Sequence, residues 1–394
     1  MEWKEVRLGD IVSIKSGLAY KGAFIGKGEN ILLGMGCVSF KDKFLFSGAR
    51  PYEADCEDKY CVEPGDIVLA TRQQSDNLPI LAMPAIIPAS LKAKKIIYGT
   101  NLYKVENHSE VTNDFLFWQL KTPDYIDYIS SVKTGSVVRM VTKKNVEDYV
   151  FRCPPKEVRD RISKLLWGLD RKIELNNKIN ADLEEMAQAI FKNWFVDFEP
   201  FKDGKFVDSE LGMIPEGWKV GSLGDFCNVF TGKKNTNQAI EKGLYPFFSC
   251  APEPLASNDA IFNGKAIIIA GNGSYTGRTS FYNGGFDLYQ RTYACTIREQ
   301  DKENLMIFFY HMMKQFFEPT KMGGTRGSSI PYIVMGDITQ QKFPYSKDWL
   351  IRFSNIANSM MDRKLRIDKE NSRLSSLRDT LLPRLMSGEL EVPE

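Results

Sequence analysis

The sequence predicts a mixed α/β protein in which one globular unit is used twice and two long helices form an antiparallel coiled coil. Two observations predict this fold class. Residue patterns from the start of the chain recur in its second half, which indicates an internal repeat. Two other stretches place apolar residues at alternating steps of four and three, the period of a coiled-coil seam. At 394 residues the chain is long enough for two or three domains.

The repeat begins with a tryptophan, a Leu-Gly-Asp triplet and a glycine, all displaced by 215 positions between the copies. The pairs are Trp3 and Trp218, Leu8-Gly9-Asp10 and Leu223-Gly224-Asp225, and Gly17 and Gly232. Farther along, the displacement is 192 positions, as from Trp118 to Tyr310 and from Val146 to Ile338. The difference between 215 and 192 means that the first copy has 23 extra residues, which we expect to lie in loops.

Each copy contains a strand followed by a helix. The apolar runs 67–70 and 266–270 follow turn-forming residues and read as strands. The runs 115–120 and 307–312 read as apolar helices, whose aromatic residues we expect in the core. The predicted order is a first globular domain at 1–155, a helix at 156–198, a linker at 199–217, a second domain at 218–346, and a helix with a tail at 347–394.

The two helices each carry a long apolar seam, and each seam includes asparagine, namely Asn176 and Asn180 in the first and Asn371 in the second. A single helix cannot bury such a seam, so each needs a helical partner, and a polar seam residue can fix the register of the pair. About 35 helical residues would make a rod of about 50 Å. The seam residues are Ile162, Leu166, Leu169, Ile173, Leu183 and Ile190 in the central helix, and Phe353, Met360, Ile367, Leu374 and Leu381 in the C-terminal helix.

The amino-acid composition indicates the cellular compartment of the protein but does not identify its function. The formal net charge of +2 neither requires nor excludes a polyanionic partner. The seven cysteines are irregularly spaced and include no CxxC pair, which is typical of free thiols in a reducing cytoplasm. No apolar run approaches the roughly 20 residues that a membrane span requires. We therefore expect a cytoplasmic protein without a membrane anchor.

The chain resembles the specificity subunits of type I restriction-modification systems over essentially its whole length. Three features carry the resemblance: the repeated opening with tryptophan and Leu-Gly-Asp, the segment 186–198 (MAQAIFKNWFVDF) closing the central helix, and the segment 381–390 (LLPRLMSGEL) closing the terminal one. The resemblance implies two target recognition domains that each read half of a split DNA site. It also implies that the paired helices set the spacing between the half-sites and carry the methylation subunits.

The same resemblance implies that this subunit is not an enzyme and holds no cofactor. Two methylation subunits would use S-adenosylmethionine to modify adenine, and restriction subunits would cleave DNA with ATP and Mg²⁺. The residues agree with this implication, since the chain has no Asn-Pro-Pro-Tyr-like element of adenine methyltransferases and no GxxxxGK[ST] phosphate-binding loop. His108 and His311 are far apart and lack companions at ligand spacing, so we expect no metal site.

Candidate DNA-binding residues lie in polar and basic loops at equivalent places in the two copies. Phosphates are bound by Lys, Arg and small polar donors, and base edges by Arg, Gln, Asn, Ser and Thr. A basic run is more often only a solvated surface, but its recurrence in both copies favours DNA. The candidates are Arg72, Gln73, Gln74, Lys133 and Arg139 in the first copy, and Tyr275, Arg278, Lys321, Arg326 and Ser328 in the second.

Two other functions are compatible with parts of the pattern. The chain could be an assembly scaffold whose coiled coil binds proteins and whose globular units have no DNA specificity, and salt-dependent duplex binding by the assembled complex would distinguish the two. A self-contained nuclease or methylase is opposed by the missing motifs, and methyl transfer by the purified chain alone would revive it.

Overall fold

The computed structural model describes residues 3–74, 79–317 and 331–392. Its contacts divide the chain into two compact units, Met1–Leu175 with Glu370–Glu394, and Asn176–Lys369. Each unit therefore contains one globular domain and a part of both long helices. The predicted linear order of domain and helix does not by itself describe these units, because the C-terminal part of the last helix packs in the unit that contains the first domain.

The first unit consists of small sheets covered by helices. Its sheets have the strand orders β2-β10-β6-β8 and β4-β3-β9-β5, with the pairs β1-β12 and β7-β11 beside them. The strands are β1 (Lys4–Arg7), β2 (Val12–Ser16), β3 (Ile25–Leu33), β4 (Ala49–Tyr52), β5 (Cys61–Val62), β6 (Ile67–Ala70), β7 (Arg72–Gln73), β8 (Pro84–Ile86), β9 (Ile96–Tyr98), β10 (Leu102–Asn107), β11 (Arg139–Met140) and β12 (Val150–Cys153). The helices are α1 (Asn113–Gln119), α2 (Pro123–Val132), α3 (Lys143–Glu147) and the first part of α4 (Lys156–Phe195).

The second unit contains a larger sheet, with the order β16-β21-β19-β20-β17-β18, and the pairs β13-β14 and β15-β22. Its strands are β13 (Phe206–Val207), β14 (Ile214–Pro215), β15 (Lys219–Ser222), β16 (Cys227–Thr231), β17 (Tyr245–Phe248), β18 (Leu255–Ser257), β19 (Phe262–Ala270), β20 (Thr279–Leu288), β21 (Thr292–Ile297) and β22 (Lys342–Tyr345). Its helices are α5 (Leu223–Phe226), α6 (Met306–Phe316), α7 (Met335–Thr339) and the first part of α8 (Lys347–Ser387).

The internal repeat is visible in the strand order. The ladder β2-β10-β6 of the first unit corresponds to β16-β21-β19 of the second, and β1-β12 corresponds to β15-β22. The long strand β20 pairs with both β19 and β17, whereas the first unit divides these pairings between β8, which pairs with β6, and β9, which pairs with β3. In the first unit the non-strand segment 87–95 lies between β8 and β9, so part of the first copy's extra length interrupts a strand that is continuous in the second unit.

Gly17 and Gly232 have the same reason to be glycine. A Cβ atom on Gly17 would lie 2.2 Å from the carbonyl oxygen of Gly99, and one on Gly232 would lie 1.7 Å from that of Leu288. Both distances are far inside van der Waals contact, so the chain can leave β2 and β16 at this place only where no side chain is present. The repeated glycine therefore marks a close backbone crossing in each domain.

Each globular core is built on the helix that the sequence predicted. In the first unit α1 buries Phe115, Phe117 and Trp118 against the sheet, and Trp118 also packs against Trp167 of α4 with ring centroids 5.4 Å apart. In the second unit α6 is buried over residues 306–313, including Phe308 and Tyr310. The prediction that Trp118 and Tyr310 belong to the core is confirmed.

The two long helices run antiparallel in both units. In the first unit Asp170 contacts Arg378, and Lys172, farther along α4, contacts Glu370, which lies earlier in α8. In the second unit the contacts pass from Asn180 with Asp368, through Glu184 with Lys364, to Phe195 with Phe353. Because one residue number rises as the other falls, the helix pair has the predicted direction.

Of the seam residues, Ile162, Leu166, Phe353 and Ile367 are buried, and Leu169, Ile173, Leu183, Ile190, Met360, Leu374 and Leu381 are half-buried. The most deeply buried side chains near the end of α4 are instead Phe191 and Phe195. They lie one position beyond Ile190 and Trp194 because this part of α4 also packs on α6, where Phe308 lies 4.9 Å from Phe195 between ring centroids. A helix with neighbours on two sides buries a wider stripe than a simple coiled-coil seam.

In each unit a carboxylate of α4 binds one cation from α8 and one from the globular domain. In the first unit Asp170 accepts from Arg378 at 2.6 Å and from Lys43 at 2.9 Å. In the second, Glu184 accepts from Lys364 at 3.0 Å and from Lys314 of α6 at 2.8 Å. We call these two clusters the Asp170 joint and the Glu184 joint. They fasten the helix pair to the globular domain.

Electrostatics at the Glu184 joint favour the ionised acid. Burial alone would raise the pKa of Glu184, but the ammonium groups of Lys314 and Lys364 lower it to about 2. The neighbouring His311 is buried, and its Nδ1–H donates to the side-chain carbonyl of Gln188 at 2.8 Å. Burial lowers the pKa of His311 to about 4, so this ring is neutral near pH 7. His311 therefore has a structural role, as its position in an apolar helix predicted.

The repeated tryptophans pack at the ends of the long helices. Trp218 lies 5.5 Å from Phe195 and 5.3 Å from Phe198, at the end of α4, measured between ring centroids. Trp3 lies against Gly388, directly after α8, where a Cβ atom would be 3.0 Å from the indole and φ is +78°. The motifs that close the two helices are thus docking surfaces for the tryptophan that opens each globular domain.

Among the described residues, none of the helices combines the length and the apolar character needed to cross a membrane. All seven cysteines lie in the described part of the chain and are free thiols.

Candidate nucleic-acid interface

The candidate residues of both units surround the same backbone junction at the end of a central strand. In the first unit, Thr71 follows β6, its N–H donates to the carbonyl of Asn101, and its carbonyl accepts from the N–H of Val141. In the second, Gly271 follows β19, its N–H donates to the carbonyl of Arg291, and its carbonyl accepts from the N–H of Ile333. Each junction therefore joins three chain segments that are distant in sequence.

A tyrosine closes each junction. The hydroxyl of Tyr103 donates to the carbonyl of Val141 at 3.2 Å, and the hydroxyl of Tyr293 donates to that of Ile333 at 3.1 Å. Burial raises the pKa of both phenols, so they remain protonated donors at neutral pH. Sequence analysis missed these residues, although both tyrosines occupy the second position of equivalent strands, β10 and β21.

The junction of the first unit brings its candidate residues together. Strand β7 pairs with β11, so that Gln73 lies opposite Arg139 and Arg72 lies opposite Met140. Lys133 ends helix α2, directly before the hairpin that leads to β11. Arg72 and Gln74 are exposed, whereas Lys133 and Arg139 are half-buried. The ladder therefore brings Arg72, Gln73 and Arg139 together, although Gln73 and Arg139 are 66 positions apart in the sequence, and Gln74 and Lys133 lie in the chain segments next to it.

Gln73 differs from its neighbours because its side chain is buried. Its carbonyl oxygen accepts a hydrogen bond from the N–H of Leu81 at 3.1 Å. The amide therefore holds the chain that follows β7 against the domain, and we assign Gln73 a positioning role rather than the predicted contact with a base.

The hairpin 134–140 projects apolar side chains from this basic surface. Thr134 and Met140 exchange both backbone hydrogen bonds at 2.9 Å, and the loop between them turns at Gly135, whose φ is +91°. Val137 is 83% exposed, and Val138 and Met140 are also exposed. The sequence predicts DNA binding from the basic residues of this segment and gives no indication of the two valines, which are distinguished only by their exposure.

In the second unit, the candidate residues Tyr275 and Arg278 belong to a turn after β19. Residue Gly277 donates its N–H to the carbonyl of Ala270 at 2.8 Å, and the hydroxyl of Thr276 donates to the carbonyl of Pro331 at 2.9 Å. Tyr275 is exposed, while the guanidinium of Arg278 donates to the carbonyls of Ala251 and Pro252. Tyr275 is therefore available to a ligand, and Arg278 holds a neighbouring loop in this conformation.

A polar cavity of about 270 Å³ lies beside this turn. Its walls include the exposed side chains of Gln290, Arg291 and Tyr332, and its base is formed around Gly271 and Tyr293 of the junction. Gln and Arg side chains are suited to base edges and phosphates. The sequence patterns do not point to these residues. Gln290 and Arg291 lie in the turn before β21, and Tyr332 forms a β-bridge with Asn272. The remaining candidates Lys321, Arg326 and Ser328 lie outside the described residues.

Among the residues that the structure describes, no group of three or more His, Cys, Asp or Glu side chains is arranged to hold a metal ion. The surface around the two junctions contains cations, amides, hydroxyls and exposed apolar groups. Such a surface can bind phosphates and the edges of bases.

Comparison with known proteins gives a consistent result. The profile of the type I restriction modification DNA specificity domain matches residues 1–185 and 215–347. The chain is 27% identical over 305 residues to the type I restriction enzyme MjaIX specificity subunit of Methanocaldococcus jannaschii, covering 72% of this chain and 70% of that protein. It is 23% identical to the HindI specificity subunit of Haemophilus influenzae, covering 99% of this chain and 100% of that protein.

Solved structures show the same fold. The crystal structure of a type I restriction-modification S subunit from M. genitalium superposes with a TM-score of 0.57 at 15% identity, covering 98% of this chain and 96% of that one.

Proposed function

The chain belongs to the type I restriction modification DNA specificity family, and we propose that it reads a bipartite DNA site with one half-site for each globular domain. In this role it is a non-catalytic subunit that directs the chemistry of its partners. Methylation or cleavage at the site would then follow from where this subunit places them.

The observation that carries the proposal is the pair of equivalent junctions. In each unit the end of the central strand, the turn before the next strand and the segment after the helix meet at one place, and each presents polar side chains to solvent. Loops positioned by a rigid scaffold are a common arrangement for recognition. A protein that must read two different half-sequences needs this combination twice.

The partners that we propose are double-stranded DNA, two methylation subunits and restriction subunits. We also propose that S-adenosylmethionine, ATP and Mg²⁺ are held by those subunits. The helix pair formed by α4 and α8 is the surface that we propose for the methylation subunits.

The test uses the complex of the full chain with its methylation subunits. Methylated adenines are first mapped in host DNA to obtain the site, and duplex binding is then measured as a function of salt. We expect specific binding whose logarithm falls linearly with the logarithm of salt concentration, as phosphate neutralisation requires. The assembly-scaffold alternative predicts a stable protein complex that does not discriminate this site from an unrelated duplex.

Arg72→Ala sharpens this test, with Lys27→Ala as the control because Lys27 is exposed in the same unit but lies on β3. If Arg72 contacts a phosphate, its loss should lower the salt slope by about one; if it contacts a base, the loss should relax specificity at one position of the first half-site. Lys27→Ala should change neither. Wild-type behaviour of Arg72→Ala in both assays would remove this residue from the interface.

A further inference from the structure

We propose that the apolar tip of hairpin 134–140, formed by Val137 and Val138, contacts the C5-methyl group of a thymine in the first half-site. This inference rests on the proposed function and specifies one base contact within it. The tip is a feature of the first unit that the basic candidate residues do not explain.

The exposure of the tip is the first observation. Val137 is 83% exposed and Val138 is 36% exposed, and Met140, at the base of the hairpin, is 41% exposed. Isolated exposed apolar residues are common, but three within four positions on one hairpin form a small apolar surface. The exposure of these apolar groups to water is unfavourable, and a ligand that covered them would remove this contact with water.

The second observation is that the tip is held in place. The reciprocal hydrogen bonds between Thr134 and Met140 close the hairpin, and strand β11 continues into a ladder with β7. Gly135 makes the tight turn possible, since a Cβ atom there would lie 2.1 Å from the carbonyl oxygen of Val138. The valines are thus presented by an anchored backbone, which lowers the entropy lost when they bind.

The third observation is the positive charge of the segment that carries the tip, which indicates the kind of ligand that the tip contacts. The segment 128–146 contains Lys133, Arg139, Lys143 and Lys144 and no acidic residue. Arg72 is exposed and lies directly opposite Met140 in the ladder, so that its side chain stands on the same face. An apolar tip with cations close to it in the sequence and opposite the base of its hairpin suits a polyanion that also presents an apolar group.

Duplex DNA meets this description in its major groove. The phosphates provide the negative charge, and the C5-methyl of thymine is the apolar group that proteins contact with small apolar side chains. A two-stranded ribbon fits into this groove. The hairpin therefore combines charge for the backbone with two valines for one base.

The test is a double-mutant cycle between the tip and the DNA. Each thymine of the mapped first half-site is replaced singly by uracil, which lacks only the methyl group, and binding by the assembled complex is measured. We expect one position at which uracil weakens wild-type binding by about fourfold, the factor that corresponds to one buried methyl group. With Val137→Ala/Val138→Ala, the same replacement should have a clearly smaller effect, because each position has lost two of its apolar carbons.

Val150→Ala is the matched protein control, because Val150 is 49% exposed on β12 of the same unit. It should retain the full uracil effect. Thymines of the second half-site are the DNA control and should respond equally in wild type and tip variant. The unfolding of the tip variant should match wild type, since the altered side chains are exposed.

Two results would overturn the inference. Either no thymine of the first half-site responds to uracil, or the tip variant keeps the full uracil effect. In both cases the complex would still prefer its own site over an unrelated duplex, so the proposed function would stand. Loss of that preference in the wild-type complex would instead refute the proposed function together with this inference.

Discussion

The two globular domains share a junction and differ in what they present around it. In the first, a basic hairpin with two exposed valines extends beside Arg72. In the second, the turn that contains Tyr275 is hydrogen-bonded to Pro331 and borders a polar cavity with Gln290 and Arg291. The backbone contacts of Thr71 and Gly271 are nevertheless the same in kind, with N–O distances of 3.0 and 3.4 Å at Thr71 and of 2.9 Å for both bonds at Gly271.

This difference shows which part of the repeat is constrained. The junction, its tyrosine and the glycine that follows the first sheet strand are needed to fold the domain, because they satisfy buried backbone groups or avoid a backbone collision. Several side chains that extend beyond the junction, such as Arg72, Val137 and Tyr275, are exposed and lie outside the buried core. They can change without loss of the fold, and two copies can therefore acquire different half-site preferences.

The joints with the helix pair differ in another way. Asp170 and Glu184 both lie on α4, so they are not repeat equivalents of each other; the counterpart of Asp170 at a displacement of 192 is Asp362, which is exposed. The two units thus use the same arrangement, a carboxylate of α4 between two cations, at positions that are not equivalent in the repeat. This comparison predicts that each joint stabilises its own unit.

The largest effect is expected from removing either joint carboxylate. Asp170→Ala leaves Arg378 and Lys43 without their shared partner, and Glu184→Ala does the same to Lys314 and Lys364. Breaking a buried ion pair from one side typically costs about 3–5 kcal/mol, which applies to Asp170, and the loss should be smaller at the half-buried Glu184. Denaturant unfolding measures the loss, and hydrogen exchange assigns it to one unit.

The exposed neighbours Arg171 and Glu185 provide the controls for these substitutions. Their replacement by Ala should change the unfolding free energy by less than about 0.5 kcal/mol. If Asp170→Ala increased exchange equally in both domains, the idea of separate joints would be wrong.

A second effect, of about 3 kcal/mol at most, concerns acid stability of the second unit. The pKa of His311 is lowered to about 4 from an ordinary value near 6.5. As the pH falls below 6.5, His311 takes up a proton in the unfolded chain before it does so in the folded one. The folded state therefore keeps its full stability above pH 6.5 and loses stability as the pH falls from 6.5 towards 4. Glu184, Lys314 and Lys364 face this ring, and the contribution of Glu184 is retained until the pH falls below about 4.5 towards about 2.

His311→Gln should therefore flatten the dependence of the unfolding free energy on pH between 6.5 and 4.5. The measurement is a series of denaturant titrations of wild type and variant, with hydrogen exchange in α6 as the local probe. His108 in the first unit is 55% exposed, and His108→Gln serves as the control. Parallel pH curves for wild type and His311→Gln would contradict the assignment.

The smallest effect is expected at the two junction tyrosines. Tyr103→Phe and Tyr293→Phe each remove one hydroxyl donor from a backbone carbonyl, which should cost about 0.5–1.5 kcal/mol in either unit. Unfolding measures this loss. Competition between duplexes altered in one half-site should then show that Tyr103→Phe weakens selection of the first half-site alone and Tyr293→Phe that of the second.

Tyr60→Phe is a suitable control, because Tyr60 directly precedes β5 and so belongs to the other four-stranded sheet of the first unit. If the two junction variants differed in stability by several kcal/mol, the junctions would not be equivalent structures.

Much of the scaffold could be predicted from the sequence, since it depends on periodicity and repetition. The helices begin at Lys156 and Lys347, where the change of pattern places them, and strand β6 has the predicted bounds. The burial of Phe191 in place of Ile190 could not be predicted, because it depends on a second neighbour of the helix. Repetition locates a scaffold well because both copies must satisfy the same backbone contacts.

The candidate interface was predictable only in position. The loops after β6 and β19 are at the expected places, but Gln73 is buried and Arg278 holds a loop. The valines of the hairpin and the pair Gln290 and Arg291 carry no sequence signal of their own, since ordinary residues become candidates only through exposure and position. Base preference depends on such geometry.

The most direct test of the account is an exchange of one domain. Residues 1–151 are replaced by the corresponding domain of another family member with a different mapped site, and methylated adenines are mapped for the chimera in complex with the methylation subunits. The account predicts that the first half of the recognised sequence changes to that of the donor while the second half stays as in the parent. A chimera whose two half-sites both change, or both stay, would contradict independent reading by the two domains.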